Sequence, residues 1–153
     1  MTKRRGARPW LWALLLAVAI WGGISMWRRA HRATEILATT TCPFRGEPVV
    51  VMSPTIAADD SAFVRVHENV HAAQCRAFGP VRYRWKNLFA SGKLALEAPA
   101  YCAAAIARVS AGLDSASVSS RLRDDATEAL SNIADSATVV AALHEYCAAI
   151  ITR

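Results

Sequence analysis

Hydrophobic and polar positions follow different patterns along the chain. From Trp10 to Trp27, eighteen residues, WLWALLLAVAIWGGISMW, carry no charge. At about 1.5 Å per residue a helix of that length reaches about 27 Å, enough to cross a bilayer core. Trp10, Trp12 and Trp27 stand at its ends, where interfacial tryptophans belong. Residues 28–41 are mostly polar and read as a juxtamembrane linker, followed by the turn formers Pro43, Gly46 and Pro48. VVVMS at 49–53 is β-branched, is closed by Ser53-Pro54, and predicts one strand. Beyond it the period is helical. Asp59-Asp60-Ser61 supplies a capping start, Phe63, Val66, Val70 and Ala73 follow at helical spacing, and Gly79-Pro80 marks the stop. Further helices are predicted over about 88–110, with Gly112 as stop, about 116–134, capped by Asp114-Ser115, and about 136–151. In the last, Ala137, Val140, Ala141, His144 and Ala148 share one stripe.

Charge sharpens the division. The chain has 153 residues, a net charge of +6 and a pI near 9.6. The first 32 residues hold seven basic residues and no acid, whereas the rest has 11 basic against 12 acidic residues. The high pI therefore belongs to the flanks of the apolar run and gives no reason to expect a nucleic-acid partner. A cleaved signal peptide competes with an anchor, since Ala17-Val18-Ala19 offers a small-residue cleavage site. The apolar run continues past that site to Trp27-Arg28-Arg29, which favours the anchor. The expected organisation is a basic tail over 1–9, a transmembrane anchor over 10–27, the linker over 28–41 and a domain over 42–153.

Basic residues on both sides of the span leave its orientation open. Cys42, Cys75, Cys102 and Cys147 all lie beyond it and form an even set. That suits a disulfide framework in an oxidising compartment, against the alternative of four buried thiols. The expectation is a single-pass protein of the cell membrane with the bilayer as partner and an extracytoplasmic, periplasmic-side domain. Two antiparallel neighbouring helices would pair Cys102 with Cys147 and leave Cys75 for Cys42. VRYRWKNLF, at 81–89, reads as a connector that packs Tyr83, Trp85 and Phe89 and exposes Arg82, Arg84 and Lys86, or as a surface for a phosphate-rich ligand or lipid headgroups.

The candidate chemistry lies in HENVHAAQ, residues 67–74. On a helix, positions four apart lie one above the other, so His67 and His71 can direct imidazoles at one ion. Glu68 projects beside them and can take a proton from a metal-bound water, which is the logic of HExxH. A catalytic zinc needs a third protein ligand. A histidine six residues after His71 would give one arrangement, but Ala77 stands there. The other arrangement takes a glutamate from a following helix. LALEAPAYC supplies Glu97, 26 residues after His71, with Glu128 in reserve and Asp124 on the same face. Pro99 implies either that the helix kinks near Glu97 or that it begins there.

With His67, Glu68, His71 and Gln74, followed by Glu97, Ala98, Ala100 and Tyr101, the chain resembles the glutamate-type zincin metallopeptidases, the gluzincin-like class. More narrowly it resembles small bacterial domains that pair HExxH with a downstream E-A-x-A-Y helix. The resemblance covers residues 67–101 and implies a zinc-dependent peptidase fold in which His67, His71 and Glu97 bind one Zn²⁺ and Glu68 is the catalytic base. The large peptidases of the class place an acidic residue four after the glutamate ligand. Here that position is Tyr101, either a donor to a developing oxyanion or a packing residue. The resulting expectation is mainly α: a single transmembrane helix followed by a small zincin-like helical domain with at most one or two short strands. Its function would be hydrolysis of a peptide or protein substrate by zinc-activated water. The alternative is a non-catalytic metal-binding or zincin-relic interaction protein on the membrane.

Overall fold

The computed structural model describes residues 37–151 together with Leu16, Val18, Ile20 and Trp21. From Leu37 onward the chain forms one compact unit. It consists of two strands, β1 (Ala38–Thr41) and β2 (Val49–Met52), and four helices, α1 (Ala58–Leu88), α2 (Ala90–Ser110), α3 (Ser115–Leu130) and α4 (Ser136–Ile151). Among the described residues no helix is long and apolar enough to cross a membrane. The two longest, α1 and α2, are crossed by charge, including Arg65, Glu68 and Arg76 in one and Lys93, Glu97 and Arg108 in the other. The more apolar α4 has only 16 residues, about 24 Å of helix. This corrects both the fold class, which had placed a transmembrane helix before the domain, and the single-pass membrane localisation. The segment that carried those expectations, 10–27, lies outside the described residues apart from the four named, as do 1–9 and 28–36.

β1 and β2 pair antiparallel, with Ala38 opposite Met52 and Thr41 opposite Val49. β1 falls in residues expected to be linker. Its ATTT sequence has no apolar alternation, and the strand exists because β2 offers it a pairing edge. Ala38, Thr40, Val50 and Met52 form the partly buried face, while Thr39, Thr41, Val49 and Val51 face out.

The predicted stop at Gly79-Pro80 is a change of direction instead of an end. Gly79 has φ 71° and ψ 163°, a conformation that favours glycine, and helix resumes behind it. Pro80 fits there because the first helical residue has no intrahelical use for an N–H. Residues 81–88, expected as a connector, are therefore helical. Only Tyr83 is buried; Trp85 and Phe89 are exposed and lie against each other at 5.2 Å. Phe89 is extended, and α2 then turns back along α1. Gly92 permits that closeness, since a Cβ there would run into the Lys86 carbonyl. At the far end Arg108 Nη2 donates to Asp60 Oδ1 at 2.9 Å, pinning the end of α2 to the start of α1.

α2 is the central helix. Leu94, Ala98, Cys102 and Ala105 pack against Val118, Leu122, Ala126 and Leu130 of α3 and Val139, Leu143 and Cys147 of α4. Each buried leucine or valine contributes on the order of 1.5–3 kcal/mol. The buried stripe of α4 is thus Val139, Leu143 and Cys147, while Ala137, Ala141 and His144 of the expected stripe are exposed. A second cluster joins Leu96 to Cys42, Cys75 and Tyr83. Disulfides link Cys42 to Cys75 and Cys102 to Cys147, the pairing expected from the helix order, with Cα separations of 5.7 and 5.4 Å. Asp114 caps α3 by accepting from the Ser117 N–H at 2.8 Å.

Candidate metal centre

His67 and His71 stand one turn apart on α1, and α2 brings Glu97 against them. α2 runs on through Pro99, so Glu97 lies about two turns inside a helix and not at its start. His67 Nε2 and His71 Nε2 are 3.1 Å apart, and each is 3.4 Å from Glu97 Oε2. Donor atoms around a tetrahedral zinc with bonds of about 2.0–2.1 Å stand about 3.3–3.4 Å apart. Two imidazole nitrogens and a carboxylate oxygen on a triangle of that size form a set that could hold a metal ion, and the three residues are the group of this kind among the described residues. The reserve ligand Glu128 and Asp124 lie exposed on α3, outside the group, and Cys75 is tied up in its disulfide.

The electrostatics follow from burial and proximity. Burial alone would raise the Glu97 carboxyl, but hydrogen bonds from His67 and His71, with their charges, outweigh it and hold the group at about 2. At His71 burial favours the neutral ring, yet the hydrogen bond and charge of Glu97 raise its pKa above the usual histidine value. The Glu97 carboxylate and the His71 imidazole thus stabilise one another's charged forms.

Glu68 is buried beside the triangle. Its Oε2 accepts from the Thr40 hydroxyl at 2.6 Å, and its backbone carbonyl lies 2.9 Å from the same oxygen. β1 thereby contributes a side chain to the site. Thr40 was not foreseen from the sequence: the β-branched run Thr39-Thr40-Thr41 is a local strand signal inside the expected linker, and nothing in it says that the strand lies on α1. Gln74 Oε1 lies 3.0 Å from His71 Nδ1, and Gln74 Nε2 donates to the Leu96 carbonyl at 2.9 Å. The Tyr101 ring meets His67 edge-on at 4.7 Å. Burial, and then the charges of Glu97, Asp125 and Glu68, push the Tyr101 hydroxyl well above its usual range, so it stays protonated at neutral pH. The Cys42–Cys75 disulfide borders the centre, two residues from Thr40 on one side and one turn past His71 on the other.

Neither a family model, nor a curated protein, nor a solved structure matches the chain.

Proposed function

We propose that this domain binds one zinc ion through His67, His71 and Glu97 and hydrolyses peptide bonds in the manner of a small zincin-like, glutamate-type metallopeptidase. The observation that carries this is the convergence of three donor atoms at 3.1–3.4 Å with a buried carboxylate, Glu68, next in sequence to one of them. Zinc bound by such a set lowers the pKa of a water to about 7. Glu68 serves as general base. Thr40 holds Oε2, so Oε1 is the oxygen that takes the proton and returns it to the leaving amine. Tyr101, kept protonated, donates to the oxyanion that develops on the scissile carbonyl.

The competing function is a metal-binding interaction domain without turnover, favoured by the same Thr40–Glu68 bond, which gives Glu68 a structural task. Metal content and activity separate the two. The full chain, purified without a metal-affinity tag, should carry one zinc, lost in His71→Ala and retained in Glu68→Gln. Hydrolysis of an unstructured protein such as casein should disappear in both variants. A folded wild-type chain supplied with zinc that binds none would end the metallopeptidase proposal. Zinc binding with no hydrolysis in wild type across a peptide library would leave the non-catalytic domain in its place.

A further inference from the structure

The bonds of Gln74 give it a task that its place on the helix does not announce. Its amide spans two elements, α1 on the His71 side and α2 on the Leu96 side. A carbonyl oxygen can only accept, so the end facing Leu96 must be the NH₂ group. Oε1 is thereby turned toward His71 Nδ1, and an amide oxygen accepts only. His71 must then carry a proton on Nδ1, which makes Nε2, 3.1 Å from His67 Nε2 and 3.4 Å from Glu97 Oε2, the nitrogen left to face an ion.

Pro99 has no N–H to offer the Ala95 carbonyl, so the helix ladder is interrupted one residue before Leu96. The next carbonyl along, that of Leu96, is the one Gln74 binds, and Leu96 immediately precedes the ligand Glu97. One side chain therefore fixes the tautomer of one ligand and the backbone beside another. Metal-binding histidines are generally oriented by a carboxylate or a backbone carbonyl on the second ring nitrogen. Here Tyr101 occupies the position where the large glutamate-type enzymes carry such an acid, and its ring packs against His67 instead.

Resting on the zinc assignment above, we infer that Gln74 is the positioning residue of this centre: it presets His71 as the Nδ1–H tautomer and clamps α1 to α2 at Glu97, and so sets the affinity for zinc. The test uses the full chain as wild type, Gln74→Leu and Gln74→Glu. Zinc Kd is read by competition with a chromophoric chelator, and the His71 Nδ1–H is observed in proton–nitrogen NMR spectra. Gln74→Leu should raise the Kd by about 10–100-fold with helix content unchanged, and should lose the slowly exchanging Nδ1–H signal. Gln74→Glu, which keeps an acceptor for that proton, should keep the signal and bind zinc more tightly than Gln74→Leu by about tenfold. A Gln74→Leu chain with a Kd within about threefold of wild type and the signal intact would overturn the inference. Should Gln74→Leu fail to fold, loss of the signal in a folded Gln74→Glu would overturn it equally. A wild type that binds no zinc defeats the metal assignment alone. Gln74 is then judged by the Nδ1–H signal, present in the wild type and absent in Gln74→Leu.

Discussion

At the scale of single residues, the centre depends on polar groups that have little tolerance for losing a partner. Glu68 is buried, and Thr40 is the side chain that donates to its carboxylate. Replacing Thr40 by Val keeps the shape of the side chain and removes that donor. A hydrogen bond to a charged group is worth about 1.5–3 kcal/mol, so Thr40→Val should lower unfolding stability by about that amount, and Thr40→Ser should recover most of it. Denaturant unfolding of the three chains reads this directly, and equal stability of Val and Ser variants would show that the hydroxyl contributes nothing. Glu97 illustrates the same economy of partners. Its charge is held by the two histidines that accompany it toward the ion, so one carboxylate serves both as ligand and as counter-charge.

At the scale of elements, helix ends and breaks carry specific requirements. Gly79 joins the two halves of α1 at φ 71°, ψ 163°. A side chain there is strained by about 1–3 kcal/mol even though nothing lies near enough to clash, so Gly79→Ala should lower the thermal midpoint without touching the metal triangle. Asp114 and Asp135 stand before α3 and α4 and accept from the backbone N–H groups of Ser117 and Thr138 at 2.8 Å each. Those bonds hold both carboxyls below the usual aspartate value. A carboxyl lowered in the folded state stabilises above its unfolded pKa, near 3.9, and the benefit disappears as pH falls through the folded value. Stability should therefore decline as pH drops below about 4, and Asp114→Asn should flatten that decline. An unchanged pH slope in the variant would remove Asp114 from the account.

At the scale of the whole molecule, two disulfides close loops of 33 and 45 residues around α2 and the metal helix. Removing a bridge of this kind typically costs about 2–4 kcal/mol. Their positions give them different consequences. Cys102–Cys147 ties α2 to α4 inside the main core, so Cys102→Ser with Cys147→Ser should lower global stability and leave zinc affinity close to wild type. Cys42–Cys75 fastens the end of β1 to α1 one turn beyond His71. Cys42→Ser with Cys75→Ser should weaken zinc binding as well as stability, because it releases the strand that supplies Thr40. Calorimetry and chelator competition on both double variants separate the two effects. Equal zinc affinity in both would deny the strand any part in holding the centre.

What the sequence determined by itself is local: helical periods, the Asp114 cap, the break at Gly79-Pro80 and the one-turn spacing of His67 and His71. Each is set within a few residues by backbone sterics, hydrogen bonding and side-chain spacing. Of the three pairings that four cysteines allow, the sequence suggested one on the condition that neighbouring helices run antiparallel, and the folded chain has that one. The apolar run at 10–27 shows the limit of local reading, since eighteen uncharged residues set a length and a hydrophobicity but not an architecture. Tertiary structure alone decided the rest. Glu97 and not Glu128 faces the histidines because α2 lies along α1, whereas the exposed face of α3 carries Glu128 away from the site. ATTT becomes a strand only when β2 pairs with it, and only then does Thr40 reach Glu68, 28 residues away in sequence. Contacts across such separations depend on which faces bury together, and burial is a property of the folded chain, not of any one segment.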